Sequence, residues 1–539
     1  MRFHRNGIEP ELGGLAQLRT GRPVDKALCH LEQIIASESP EKSFILVAAS
    51  DVLRWVFGIL DGAAGKGVKM NRRQFLGWTG GIAAALGCGR LTFAQSEVRR
   101  SVPGLVDVEL AARDTWLTVA GKPAYLSAFN GQSPGPVIEA RAGDTIRIRF
   151  HNALTEATNL HYHGLHISPA GMADNSFLEV SPAESMTYEL NIPRDHPSGM
   201  FWYHPHMHGS VARQVSRGLA GVILIRGEFD DQPEVQGTPE FLMVLQDFDL
   251  SDDGQIIEPS VLTRTQGREG PLVTVNGGLN PAIPLQSGGW TRIRLLNASA
   301  SRFYRLRIEG HTFTIVGTDG GLVSTPIETE EILLVPGQRY DAFVWGRELS
   351  GNFRLLNLPY DRLGTMGGGM GHGGGRPATE PRVLATFEYA GPAANSWTLP
   401  QQLGSVEALP ASRASRSFTF GMGMGMGMMG MGGGGFTING RRFDPNRVDT
   451  RVRLNSTEDW ELVNTSMMDH PFHIHTNPFQ LVGNDGAIER AWRDVVLVPA
   501  GRSVRIRLRF SDYPGKALYH CHILDHEDLG MMGTVEVAV

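Results

Sequence analysis

Cysteine is nearly absent. Cys29, Cys88 and Cys521 are the only three in 539 residues, and the first two precede the expected mature chain. A chain left with one thiol cannot build an internal disulfide framework, so Cys521 is either a buried structural side chain or a thiolate with chemistry to do. Charge of one sign is also scarce. The formal net charge is -6 and no dense basic stripe occurs, which removes the electrostatic footprint of a nucleic-acid binder. Long apolar runs are missing too. Ile45 to Leu60 is broken by Asp51 and Arg54, and Phe75 to Cys88 falls short of the ~20 apolar residues that a membrane-spanning helix needs.

That second stretch follows Asn71-Arg72-Arg73-Gln74-Phe75-Leu76, which resembles a twin-arginine export signal, with Thr92-Phe93-Ala94 as a cleavage site. Export to the periplasm, or otherwise out of the cytoplasm, is the expectation. Ala85-Leu86-Gly87-Cys88 is a loose lipobox, so acylation of Cys88 is the competing reading. Export signals belong at the start of a chain, so translation is expected to begin at Met70, with residues 1–69 a non-native or disordered extension.

Glycine (66) and proline (31) are plentiful, as suits many short strands joined by turns. The length suits about three domains of ~150 residues. Val504-Arg-Ile-Arg-Leu-Arg-Phe510 alternates apolar and charged residues, as a half-buried antiparallel strand does. Thr145–Phe150 and Thr291–Leu296 read the same way. They belong to a repeat: Thr145-Ile-Arg-Ile-Arg-Phe-His-Asn152, Thr291-Arg-Ile-Arg-Leu-Leu-Asn297 and Trp460-Glu-Leu-Val-Asn464. Three all-β sandwich domains follow. A second repeat matches Gly199-Met-Phe-Trp-Tyr-His204-Pro-His206 with Gly515-Lys-Ala-Leu-Tyr-His520-Cys521-His522. Its middle copy, Gly351-Asn-Phe-Arg-Leu-Leu-Asn-Leu358, has no histidine. Ligands confined to the outer copies predict a metal site between domains one and three, with domain two mainly a spacer.

Four clusters carry the chemistry: His161-Tyr-His163; His204-Pro-His206-Met-His208; His470-Pro-Phe-His473-Ile-His475; and His520-Cys521-His522 with His526 and Met531 beyond. Residues two apart in a strand face one side and neighbours face opposite sides. Each His-x-His pair therefore offers two imidazoles to one face. His520 and His522 face one site while Cys521 faces another. His470 is an odd number of positions from His473 and His475, so it can join Cys521. With His526 and Met531 this makes two imidazoles, a thiolate and a weak thioether, the ligand set of a blue-copper centre. The other face gathers histidines from all four clusters, as suits several copper ions around dioxygen. One His-x-His pair is a weak signal, but four clusters with an embedded cysteine are hard to produce by core packing.

With these residues in place, the sequence resembles the multicopper oxidases, the family of laccases and bacterial cuprous oxidases, over residues 100–539. The resemblance implies an all-β fold of three cupredoxin-like Greek-key sandwich or barrel domains. The boundaries then read 70–95 signal peptide, 96–228 domain one, 229–395 domain two without copper ligands, and 396–539 domain three. It implies four copper ions: type 1 on His470, Cys521, His526 and Met531, type 2 on His161 and His473, and a type 3 pair on His163, His204, His206, His475, His520 and His522. Spacing leaves His208 open as a ligand, and the family pattern does not use it. His166 reads as a rim or core residue.

Reducing dioxygen to water consumes four protons, so a buried acid is expected near the cluster. Asp174 resembles the family's proton-delivering aspartate and Glu527 is a second candidate; a solvated or salt-bridged loop carboxylate is the competing reading for each. Two tracts, Met366-Gly-Gly-Gly-Met370-Gly-His372 and Gly421-Met-Gly-Met-Gly-Met-Gly-Met-Met-Gly-Met431, are either low-complexity linkers or soft thioether sites for Cu(I). The implied activity is one-electron oxidation of Cu(I) or a phenol coupled to dioxygen reduction, in copper tolerance, by a monomer. A non-catalytic copper-binding or envelope-assembly protein on the same fold is the rival reading; copper nitrite reductase fits less well, since its pattern would lack the His520-Cys521-His522 sandwich.

Overall fold

The computed structural model describes residues 104–347, 350–362, 380–393, 396–422 and 435–539. The expected export signal, Cys29, Cys88, residues 1–69, the first methionine tract and positions 423–431 of the second lie outside these residues. Among the described residues no helix is long and apolar enough to cross a membrane.

Six sheets pair into three sandwiches. In the first, Leu105–Val119 and Thr145–Asn152 share a core with His161–His163, Gly199–His204 and Gly221–Arg226, through Val106, Ile148, Tyr162, Phe201 and Ile223. The second and third sandwiches have cores of their own. In the third, Cys521 sits among Trp460, Phe472 and Ile506.

The repeated strands take the same place in each copy. Thr145–Asn152 runs parallel to Leu105–Val119 and antiparallel to Ser185–Asn191. Trp290–Asn297 lies likewise between Glu240–Phe248 and Arg339–Trp345, and Ser456–Asn464 between Ala414–Met422 and Ser503–Phe510. So these strands are not purely antiparallel, as alternation alone suggested.

Each copy ends on an asparagine that closes the following turn. Asn152 Nδ2 donates to Glu156 O and Val180 O, Asn297 Nδ2 to Arg302 O and Leu334 O, and Asn464 Nδ2 to Met468 O and Val498 O. In all three the side-chain oxygen accepts the N–H two residues on. This satisfies backbone groups that would otherwise be buried unpaired.

The middle copy departs from its expected half-exposed face. Arg292 and Arg294 are buried, paired with Asp230, Glu240 and Asp341. The short helix Glu228–Asp231 brings Asp230 over that face, and a buried guanidinium persists only when paired in this way.

The second repeat forms the central strand of the other sheet in each sandwich. Gly199–His204 pairs with His161–His163, Asn352–Leu358 with Tyr304–Ile308, and Gly515–Cys521 with His470–Ile474. The histidine-bearing strands of the outer sandwiches thus correspond to strands without histidine in the middle one.

Candidate metal centre

Cys521 ends its strand directly opposite Phe472, and the helix α1 (Leu524–Asp528) then turns His526 back toward it. Cys521 Sγ lies 3.4 Å from His470 Nδ1 and 3.8 Å from His526 Nδ1, and the two nitrogens are 3.3 Å apart. The outer nitrogens are occupied: His470 Nε2 meets Ser466 Oγ at 2.8 Å, and His526 Nε2 donates to the Thr265 carbonyl at 3.0 Å. Phe436 stacks on the His526 ring at 3.8 Å between centroids. Met531 is buried in the same core, its N–H bonded to His526 O and its carbonyl accepting from Cys521 N. Burial pushes the Cys521 thiol far above its ordinary range and pulls His470 down to about 3. Two neutral imidazoles aimed at one sulfur in a dry pocket suit a soft cation, which also converts a buried thiol to thiolate.

The other eight histidines meet between sandwiches one and three. Strand alternation keeps His520 and His522 on this side while Cys521 points away. The rings of His161 and His475 stack at 3.7 Å, as do those of His163 and His473. Nε2 atoms face each other at 3.4 Å for His161 and His473, 3.3 Å for His206 and His520, and 3.2 Å for His475 and His520.

Their outer nitrogens explain why. Nδ1–H donates to Asp174 Oδ1 from His161 at 2.8 Å, to Pro205 O from His204 at 2.8 Å, to Asp494 O from His473 at 2.9 Å, and to Cys521 O from His520 at 3.1 Å. Each bond fixes a tautomer whose Nε2 lone pair points inward. Burial, then mutual repulsion, holds His161, His206, His473, His475 and His522 well below the usual imidazole range. They are therefore neutral at pH 7. Inward lone pairs a few ångströms apart repel unless cations lie between them, so the donor set fits copper ions. The free nitrogens of His204 (Nε2), His163 (Nδ1) and His522, buried without partners, make the same point.

Both expected carboxylates are at the cluster. Asp174 Oδ1 also accepts from Tyr162 N at 3.0 Å, while its Oδ2 is buried without a partner. Burial raises Asp174 to about 7. Glu527 reaches His520 Nδ1 at 3.0 Å and His206 Nε2 at 3.3 Å, though neither oxygen is oriented for a hydrogen bond. His208 packs on Phe443 and Phe177, outside every convergent donor group. His166 is a rim residue that joins Thr476 O at 2.6 Å and Asp512 at 2.9 Å.

The expectation that domain two is mainly a spacer is corrected. Its Thr265 carbonyl caps His526, and a Cβ on Gly337 would stand 2.9 Å from His522 Nε2 and 3.0 Å from His163 Cε1. Its Arg339 grips Asp494, whose Oδ1 lies 2.9 Å from His163 Nε2. None of these four residues is legible from spacing, because none lies in a histidine-rich motif. The one available sign was the match of Leu334-Val-Pro-Gly-Gln-Arg339 with Leu497-Val-Pro-Ala-Gly-Arg502, which marks the turn but not its neighbours.

Three cupredoxin-type sandwiches joined by such a seam define a copper-binding oxidoreductase. Family models described as multicopper oxidase match residues 111–229, 242–370 and 417–539. The solved multicopper oxidase from Campylobacter jejuni, titled a metallo-oxidase, is 32% identical, with a TM-score of 0.72 over 82% of this chain and 93% of its own. Multicopper oxidase mco of Staphylococcus haemolyticus is 28% identical over 76% of this chain and 83% of its own. Cell division protein FtsP of Xenorhabdus nematophila is 27% identical over 87% of this chain and 99% of its own. The chain belongs to the multicopper oxidase family. Membership carries copper as cofactor, dioxygen as oxidant and a reducing substrate.

Proposed function

We propose that the protein is a cuprous oxidase with four copper ions, exported by the twin-arginine route to the periplasm and active there as a monomer in copper tolerance. His470, Cys521, His526 and Met531 would hold one ion, His161 and His473 a second, and His163, His204, His206, His475, His520 and His522 a coupled pair. The observation that carries this reading is the set of outer hydrogen bonds that turns imidazole lone pairs inward at both sites. Copper bound there supplies one-electron redox chemistry coupled to the four-electron reduction of dioxygen. Cys521, bonded on either side to His520 and His522, gives the shortest covalent route between the sites. Asp174, near neutral in its affinity for a proton, holds one at Oδ2 for dioxygen reduction while Oδ1 keeps His161 in place. Glu527, placed between His206 and His520, is the second carboxylate near the coupled pair.

Cu(I) is favoured over phenols because no imidazole edge of the Cys521 site is open. His526 is 0% exposed, under the Thr265 carbonyl and the Phe436 ring. Exposed Met467 lies three residues before His470, exposed Met422 belongs to the second methionine tract, and thioethers prefer Cu(I). The test is dioxygen uptake by the copper-loaded protein with Cu(I) and a simple phenol in separate runs. Faster uptake with Cu(I), abolished by Cys521→Ser, is expected; uptake with phenol alone would make the protein a laccase. Likeness to a cell division protein supports a second, non-catalytic reading, which full copper loading without turnover of either substrate would favour.

A further inference from the structure

His163 differs from its neighbours in the nitrogen it leaves free. At His161, His204, His473 and His520 an oxygen takes Nδ1. At His163 it is Nε2 that meets an oxygen, Asp494 Oδ1 at 2.9 Å, and Nδ1 that is buried without a partner. Asp494 is itself held in a fork: Arg339 Nη1 donates to Oδ1 at 2.7 Å and Nη2 to Oδ2 at 2.6 Å. The fork leaves Oδ1 one lone pair, which faces His163. His473 Nδ1 also stands 3.6 Å from Oδ1, but its proton goes to the Asp494 carbonyl.

Arg339 belongs to the sandwich without copper-type ligands. It opens the strand Arg339–Trp345, and its side chain is 1% exposed. Its remaining donors go to Met200 O of the first sandwich at 3.0 Å, and to Gly337 O at 3.0 Å and Asp319 O at 2.7 Å of its own. Asp319 takes the Arg339 N–H on Oδ1 at 2.8 Å and the Val495 N–H on Oδ2 at 3.3 Å, so the neighbour of Asp494 is fixed as well. One guanidinium thus touches all three sandwiches. Gly337, at φ +85°, packs the same turn on the rings of His163 and His522.

We propose that Arg339 and Asp494 are positioning residues: Arg339 orients Asp494, Asp494 keeps the proton of His163 on Nε2, and the middle sandwich thereby dictates that His163 binds copper through Nδ1. The proposal rests on the reading of His163 as a copper ligand. Its physical basis is general: an acceptor on one ring nitrogen selects the tautomer and frees the other nitrogen as donor. A guanidinium suits the task because its planar fork engages both carboxylate oxygens and fixes the angle of the third contact.

The experiment begins with metal-free protein carrying 15N-labelled histidine, the His163 signals being assigned by their loss in His163→Gln. Wild type should show His163 protonated at Nε2. The double variant Arg339→Met, Asp494→Leu removes both partners of the fork together, and buried Asp319, 3.6 Å from the guanidinium, keeps the backbone N–H donors of residues 339 and 495. In it His163 should lose its single tautomer. Copper binding at the histidine cluster should weaken about 10–100-fold, the range for losing such an outer partner. Blue absorption from the Cys521 site should be retained, which a general folding defect would not allow. His163 protonated at Nδ1 in wild type, or unchanged copper affinity in the double variant, would overturn the proposal. Wild type with the Nε2–H form that takes up copper only at Cys521 would instead overturn the ligand reading of His163.

Discussion

His204 and His470 show what burial does to single residues, since each is drawn down to about 3 from an ordinary value near 6.5. The unfolded chain therefore binds more protons than the folded one between those values. The stability of the neutral, buried form is complete above pH 6.5 and is lost as pH falls. Asp174 works the other way: raised to about 7, its contribution is complete below about pH 4 and is lost as pH rises through 7. The histidines outnumber it. Metal-free protein should lose about 1.4 kcal/mol per pH unit for each such histidine between pH 6.5 and 4. Urea midpoints across that range measure it, and a flat profile would refute it. Copper-loaded protein should be less sensitive, because ligands must release metal before they take up protons. The convergence of the histidines was legible because period-two alternation sorts them locally. Asp494 and Arg339 were not, since only the packed fold brings residues 163, 339 and 494 together.

Among elements, the short helix Val261–Gln266 covers His526 through the Thr265 carbonyl. It buries no residue of its own, and Val261 and Leu262 are exposed. What pins it is the fork of Arg268 on buried Asp525, with the Arg268 N–H on the same carboxylate. Arg268→Gln should destabilise the protein by about 3 kcal/mol, the scale for removing one partner of a buried pair. Freed from that anchor, the Thr265 carbonyl should leave His526, and phenol oxidation should rise severalfold relative to Cu(I) oxidation. Steady-state rates on the two substrates check this; an unchanged ratio would show that the cap does not select substrate. The repeated strands and their closing asparagines were legible as elements. The cap was not, because a six-residue polar helix over a metal pocket has no apolar period to announce it.

For the whole molecule, the cluster fastens sandwich one to sandwich three through side chains alone. His206 meets His520 across 314 positions of sequence, and His161 meets His473 across 312. Copper that binds only this assembled form must stabilise it by mass action, about 2.7 kcal/mol at one site when free copper is a hundredfold above Kd. Calorimetry with and without a chelator should show the melting temperature falling on copper removal and returning on readdition; a melt indifferent to the metal would contradict this. The same separation constrains timing. A ribosome has made His161, His163, His204 and His206 long before it reaches His473, and the histidines that converge with them are complete only once His522 has been added. On the proposed ligand assignment, filling the whole site is therefore a late event in the life of the chain, one that must wait for synthesis to pass Cys521 and for the outer domains to find each other.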